Sequence, residues 1–145
     1  MLGATLAGLA FSNASVALVH GMSRPIGAHF HVPHGLSNAM LLPAVTEFGL
    51  HGALPRYAEA ARCIGAAAPG DADQVAGAKL LEELRALNAE LEVPSPGAWG
   101  IEESRWNALV PTMAKQALAS GSPANNPRVP EAAEIEALYA RVFRG

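Results

Sequence analysis

The sequence has little charge and a single cysteine. Charged residues make up 16% of its 145 residues, against about a quarter in ordinary soluble domains, and half of the residues are hydrophobic. We therefore expect part of the surface to be covered by a partner. The net charge of −3 does not indicate a basic surface, so nucleic acid is not an expected partner. Cys63 has no cysteine to pair with, which excludes an internal disulfide and favours a reducing, cytoplasmic location.

Charge is missing altogether from residues 1–23. No basic region precedes this apolar stretch, as a signal peptide would require. A membrane span needs about 20 predominantly apolar residues, and this stretch is interrupted by Thr5, Ser12, Asn13, Ser15 and His20. We therefore expect neither a signal peptide nor a membrane span, and we predict a helix buried in protein.

The chain opens without a helix-capping residue. No Ser, Thr, Asp or Asn precedes the first helical positions. Two interpretations stay open: Met1 is an internal methionine of a longer parent chain, or it is an ordinary start followed by a frayed first turn.

Hydrophobic periodicity and turn residues predict an all-α, bundle-like domain over residues 1–145. Helices are expected at residues 2–19, 34–48, 54–64, 71–91, 101–118 and 131–143. Pro25 is expected to break or kink the chain at Arg24. In the fourth helix, apolar residues at three-residue steps predict the buried face: Val75, Ala78, Leu81, Leu84 and Leu87. No segment alternates as a strand does, and no glycine-rich phosphate-binding loop is found.

Four of the five histidines fall within 15 consecutive residues: His20, His29, His31 and His34. Imidazole is a common ligand of zinc and suits ferrous iron. His20 near the end of one helix and His34 at the start of another could converge on one ion. The alternative is that His20 is a hydrogen-bonded core residue and His34 only begins a helix.

His29 and His31 allow a rival interpretation, a binuclear hydrolase. An H-x-H pair on a strand places both imidazoles on one face, but these surroundings do not predict a strand. No aspartate precedes Asp71 to complete such a site. His51, the fifth histidine, is expected to be solvated.

Two sequence runs surround His20 and His34: HGMSRPIG at residues 20–27 and PHGLSNA at residues 33–39. They closely resemble the histidine signature of iron-containing, or group III, alcohol dehydrogenases. The run AGLAFSNA at residues 7–14 resembles the helix before that signature, and NNPR at residues 125–128 resembles the family's C-terminal loop. The resemblance spans most of the chain.

The resemblance implies a two-domain parent enzyme that acts on a small alcohol or aldehyde. Family members join an N-terminal domain that binds NAD or NADP to a C-terminal helical domain, with a divalent metal, iron in many members and zinc in some, in the cleft between them. One aspartate and three histidines bind this metal, and the last two histidines match His20 and His34. The other two ligands and the nucleotide-binding domain are absent from this sequence. The chain is therefore expected to be inactive alone.

Three further residues match positions near the family's substrate. Phe11 matches an aromatic residue lining the pocket, with simple core packing as its alternative. Ser122 lies where some relatives place a cysteine. Arg24 replaces a histidine that is proposed to help move a proton, and arginine cannot do this because it stays protonated. Either His29, His31 or bulk water relays the proton, while Arg24 recognises an anionic substrate group or pairs with a charge across the domain boundary.

A different class of function stays open, a stand-alone helical module that binds metal or a partner without being an enzyme. Two histidines alone leave the remaining positions around an ion to water, and self-association could complete a four-histidine site across two chains. An uncovered domain interface of roughly 600–1,500 Å² would also favour self-association. We therefore expect a homo-oligomer.

Overall fold

The computed structural model describes residues 1–145 as six α-helices with no strand. The helices are α1 (Leu2–Ala14), α2 (Leu18–Phe30), α3 (His34–Cys63), α4 (Asp73–Glu90), α5 (Glu103–Ala119) and α6 (Ala132–Arg144). A short 3₁₀ turn, Ser122–Asn125, lies between α5 and α6. The all-α prediction is confirmed.

The main core lies where α2, α5, α6 and the first half of α3 meet around the fully buried Trp106. Its indole ring meets the Tyr139 ring edge-on at 5.7 Å between centroids. Trp106 Nε1 donates to the carbonyl oxygen of Tyr139 at 3.3 Å, and Tyr139 Oη donates to the carbonyl oxygen of Met22 at 2.7 Å. Burial raises the pKa of the Tyr139 hydroxyl, so it stays a neutral donor. These contacts tie α2, α5 and α6 together.

A second, smaller cluster joins the end of α3 to α4, and its members are mostly alanines: Ala58, Ala61, Ala67, Ala76 and Leu80. Small side chains let the two helices approach closely. A Cβ placed on Gly77 of α4 would lie 2.9 Å from the side chain of Leu54 in α3. This pair of helices forms a compact arm beside the main core.

The buried face expected for α4 is only partly correct. Leu81 is buried and Leu84 is half-buried, whereas Val75, Ala78 and Leu87 are exposed. Steps of three residues fall 60° short of a full turn, so a row of them winds around the helix instead of staying on one face. The observed buried residues follow the expected three- and four-residue spacing: Ala76, Gly77, Leu80 and Leu81.

The prediction of one helix at residues 2–19 is wrong. α1 ends at Ala14, where Ser15 takes a left-handed φ of 64°, and α2 begins at Leu18. The two helices meet at a bend of 104°. Pro25, expected to interrupt the chain, instead lies inside α2, where its ring is buried beside Met22 and Ile26. Core packing thus outweighs the backbone hydrogen bond that a proline cannot donate.

The helices expected at residues 34–48 and 54–64 are joined into α3. A kink remains between them, because Ala53 has non-helical angles of φ −155° and ψ 45°. Gly52 comes so close to Pro127 that an added Cβ would lie 2.5 Å from its carbonyl oxygen. The kink therefore sits where the loop before α6 crosses α3.

No residue of α1 is buried, so the prediction that this helix lies buried in protein is wrong for the chain as it stands. Its exposed apolar side chains are Leu2, Leu6, Leu9 and Phe11. No single helix has the length and apolarity of a membrane span, although α1 and α2 taken together pass that test across their bend.

Candidate metal centre

His20 and His34 face each other across α2 and α3. Their ring centroids are 5.2 Å apart, with the rings tilted by 53°. Burial chiefly lowers the pKa of His20, and the nearby His34 and Arg24 lower it further. The neutral imidazole, which is the form that binds a metal ion, is therefore favoured at His20.

A three-residue turn creates this pairing. His31 takes a left-handed conformation at the end of α2, φ 55° and ψ 27°, and its backbone N–H donates to the carbonyl oxygen of Gly27. Pro33 then precedes His34, the first residue of α3. The chain reverses within these residues, so the start of α3 returns beside α2. His31 thus has a backbone role that its place in an H-x-H pair did not reveal.

Asn38 belongs to the same cluster, and the sequence reasoning did not select it. Its Nδ2 lies 3.0 Å from His34 Nε2, where the amide donates if that ring nitrogen carries no proton. Its Oδ1 is buried without a hydrogen-bond partner. Asn38 lies four residues after His34 on the same helix, and this spacing alone could have indicated the contact.

The donor set fits a divalent ion such as iron or zinc but does not complete its coordination. Two imidazoles are suitable ligands, and an ion of this kind takes four or more. No group of three or more His, Cys, Asp or Glu residues is placed to hold a metal. His20 and His34 could therefore supply two ligands of a metal ion, and the remaining ligands would have to come from elsewhere.

Arg24 lies on the exposed surface of α2, one helical turn after His20. Its Nη1 donates to Ser122 Oγ at 3.3 Å. Ser122, only 5% exposed, reaches this place because the 3₁₀ turn lies against α2. Gly21 permits that approach, since an added Cβ would be 3.0 Å from the ring of Pro123. Asn125 Nδ2 also donates to the carbonyl oxygen of Val16 at 3.0 Å, which holds the turn on the start of α2.

The structure thus brings four of the five selected residues into one region: His20, His34, Arg24 and Ser122. Phe11 is not among them. It lies on α1 with 55% of its surface exposed and does not pack in the core of this chain. Its pocket role stays a prediction.

The other histidines do not form a second centre. His29 Nε2 lies within 2.9 Å of Gln116 Oε1, and His31 is exposed at the helix end. They line a separate cavity of about 280 Å³ with Trp99, Glu102 and Arg105. No metal-binding cluster supports the hydrolase interpretation. His51 is exposed on α3, as expected. A larger cavity, about 560 Å³, lies between α3, α4 and α6 and is lined by none of the selected residues.

Fold and site together define a helical domain with one pair of facing imidazoles. Residues 1–143 match the model of the Fe-containing alcohol dehydrogenase family, C-terminal part, and the chain belongs to this family. It is similar to a 1-propanol dehydrogenase of Salmonella typhimurium, 37% identical over 96% of this chain and 38% of the relative. An NADPH-dependent butanol dehydrogenase of Clostridium saccharobutylicum is 33% identical over 97% of this chain and 36% of the relative.

Solved structures show the same similarity. A 1,3-propanediol oxidoreductase superposes with a TM-score of 0.87 at 31% identity, covering 95% of this chain and 35% of that one. The iron-containing alcohol dehydrogenase of Thermococcus thioreducens gives a TM-score of 0.81 at 36% identity, covering 98% and 35%. The chain thus spans little more than a third of the length of these relatives.

Proposed function

We propose that this chain is the metal-binding helical domain of an NAD(P)-linked alcohol dehydrogenase, with His20 and His34 as two ligands of the catalytic divalent metal. The observation that carries the proposal is the pair of imidazole rings, 5.2 Å apart on two different helices. Membership of the Fe-containing family supports the proposal that a metal is bound, and the relative named as NADPH-dependent supports the proposal that a nicotinamide nucleotide is used.

Each residue of the cluster has a separate part in the proposed chemistry. When bound, the metal supplies Lewis-acid stabilisation of negative charge on the oxygen of the alcohol or aldehyde. His20 and His34 hold it from two helices whose packing fixes their separation. Ser122 orients the guanidinium of Arg24 at the edge of the pocket. Arg24 cannot accept a proton, so the proton of the alcohol leaves by another route.

The proposed partner is a nucleotide-binding domain that covers α1. This helix has no charged residue and no buried residue, so its apolar side chains are free to pack against another surface. Docking there would bury Phe11 and bring it towards the substrate. Without that domain we expect the chain to be inactive and to self-associate through α1.

A chimaera tests the proposal. The nucleotide-binding part of the Salmonella 1-propanol dehydrogenase would be joined in one polypeptide to this chain, in place of the relative's own helical part. We expect metal-dependent oxidation of 1-propanol, lost in the His20→Ala and His34→Ala variants. His51→Ala is the matched control, because His51 is exposed elsewhere on α3. A folded chimaera that is active without metal, or indifferent to both histidine variants, would contradict the proposal.

A second candidate function is a metal-linked homodimer that is not an enzyme. The exposure of His34 favours it, since two chains could bring four imidazoles together. Sedimentation analysis with and without zinc separates the two functions. A dimer that forms only with zinc, and is lost in His34→Ala, would support this candidate, whereas association through α1 would be independent of metal.

A further inference from the structure

Arg24 is the one arginine of the chain that contacts neither a carboxylate nor a carbonyl group. Six of the eight arginines form ion pairs with Asp or Glu side chains: Arg56, Arg62, Arg85, Arg128, Arg141 and Arg144. The seventh, Arg105, donates to the carbonyl oxygen of His29 at 3.0 Å and lies over the Phe30 ring. Arg24 has only the hydroxyl of Ser122. Its positive charge is therefore not balanced within the chain.

The surroundings of Arg24 contain no acid that could balance it. Residues 1–46 and residues 104–130 include no Asp or Glu. These ranges supply α2 itself, the start of α3, nearly all of α5 and the 3₁₀ turn, which are the elements that pack against α2. Glu47, the first acidic residue, is engaged by Arg85 and Arg141. A carboxylate partner for Arg24 would therefore come from outside this chain.

The guanidinium makes one hydrogen bond within the chain, and most of its donors are free. Ser122 contacts one Nη, and the close approach of Gly21 to Pro123 keeps Ser122 there. Guanidinium carries five N–H donors in a planar fork that matches a carboxylate in a bidentate arrangement. One hydroxyl contact leaves an edge of that fork available to a ligand.

Arg24 is also close to the paired imidazoles. Residues four apart on a helix have Cβ atoms about 5–6 Å apart, which places Arg24 beside His20. A small molecule with its hydroxyl or carbonyl oxygen at the histidine pair and an anionic group close to that oxygen would bring the anionic group to Arg24. A short hydroxy acid or oxo acid has both groups.

We infer that Arg24 is a specificity-determining residue that binds the carboxylate of a short hydroxy-acid or oxo-acid substrate, whose oxygen lies at His20 and His34. The inference rests on the proposed function for the position of the reacting oxygen. The carboxylate contact itself is a property of this chain and needs neither metal nor nucleotide.

The first test is an NMR titration of the ¹⁵N-labelled chain that follows the Arg24 Nε–H and the Ser122 amide. The probes are 3-hydroxypropanoate and its neutral counterpart 1,3-propanediol. We expect saturable shifts with the acid, none with the diol, and loss of the shifts in Arg24→Gln. Arg105→Gln, which removes another exposed arginine, should keep them. Equal shifts with the diol, persistence in Arg24→Gln, or tighter binding of inorganic phosphate than of the acid would overturn the inference.

The second test uses the active chimaera and compares kcat/KM for 3-hydroxypropanoate with that for 1-propanol. We expect Arg24→Gln to lower this ratio on the order of 10- to 100-fold, the range of one charge-assisted hydrogen bond. The loss should fall mainly on KM for the acid, with partial rescue in Arg24→Lys. If Arg24 instead pairs with a carboxylate of the nucleotide-binding domain, both substrates lose activity equally, and the inference is wrong. An inactive chimaera would count against the proposed function, while the NMR result would still decide the carboxylate contact.

Discussion

The arm formed by α4 and the end of α3 pairs each of its cations with a carboxylate of the same chain, whereas Arg24, in the region around His20 and His34, has no such partner. Arg62 pairs with Asp73 at 2.7 Å, and Lys79 pairs with Asp71 at the same distance. By contrast, Arg24 beside the histidine pair has no carboxylate partner, and the potential metal site there has only two ligands. The helix α1, which precedes α2 in the chain, has no buried residue. The paired cations of the arm contribute to the fold, whereas Arg24 is available to a partner from outside the chain.

We predict that substitutions in the arm lower the free energy of unfolding without changing the binding of a carboxylate at Arg24. Leu80→Ala removes a side chain that is 6% exposed in the cluster between α3 and α4. We expect it to lower the free energy of unfolding by about 2–5 kcal/mol, the range for cavity-forming changes. Urea unfolding measures this loss, and the carboxylate titration should be unchanged. A variant with full stability would contradict the packing described for α4.

The hydrogen bond from Tyr139 to Met22 joins α6 to α2, the helix that carries His20. Removing it tests how far the stability of the core depends on this link. Tyr139→Phe leaves the buried carbonyl group of Met22 without this donor. We expect a loss of about 1–3 kcal/mol in unfolding free energy. The control is Tyr57→Phe, which changes a half-buried tyrosine in the arm. A Tyr139→Phe chain as stable as this control would show that the bond contributes little.

Glu47 is the acidic residue through which α3 contacts both α4 and α6. Its hydrogen bond with Arg141, together with the charges of Arg141 and Arg85, holds the pKa of the Glu47 carboxyl below its ordinary value of 4.5, against the opposing effect of burial. A lowered pKa in the folded state means that the ionised carboxylate stabilises the fold above pH 4.5. This contribution is lost as the pH falls through the folded-state pKa.

Glu47→Gln should therefore destabilise the chain at pH 7 and have little effect near pH 2.5. The side chain is 35% exposed, so solvent screening limits the expected loss to about 0.5–1 kcal/mol. Unfolding curves at the two pH values measure the difference. An equal loss at both values would show that the carboxylate charge is not its cause.

We expect the smallest change in stability from a substitution in the site that is proposed to bind substrate. Arg24→Gln removes an exposed group with one hydroxyl contact, and we expect the unfolding free energy to change by no more than about 0.5 kcal/mol. Thermal unfolding checks this, with Arg62→Gln as the comparison because Arg62 is held by Asp73. If Arg24→Gln proves the more destabilising, Arg24 is a structural residue.

Local patterns in the sequence predicted most helices and offered the pairing of His20 and His34 as one of two interpretations, because both depend on residues close together in the chain. His20 and His34 are 14 residues apart, and one short turn joins them. The family signature added the expectation of a metal and of a role for Ser122. The contact between Arg24 and Ser122 joins residues 98 apart. Only the packing of the 3₁₀ turn on Gly21 brings them together, and no local periodicity carries that information.

The failures of prediction share a physical cause, the competition between local preference and packing. Pro25 was expected to break a helix, but its burial in the core keeps it within α2. The uncharged stretch was expected to be one buried helix, but it bends at Ser15 and leaves α1 exposed. A sequence of small and apolar residues does not reveal whether its covering surface belongs to the same chain.

Metal binding by the chain alone tests the role of the histidine pair most directly. Anaerobic titration with ferrous iron or zinc would follow the metal bound per chain in the unchanged protein and in its His20→Ala, His34→Ala and His51→Ala variants. We expect weak binding that both His20→Ala and His34→Ala abolish and that His51→Ala leaves unchanged, because two imidazoles form half of a site. Tight binding of one metal per chain that survives loss of either His20 or His34 would contradict the proposed ligands.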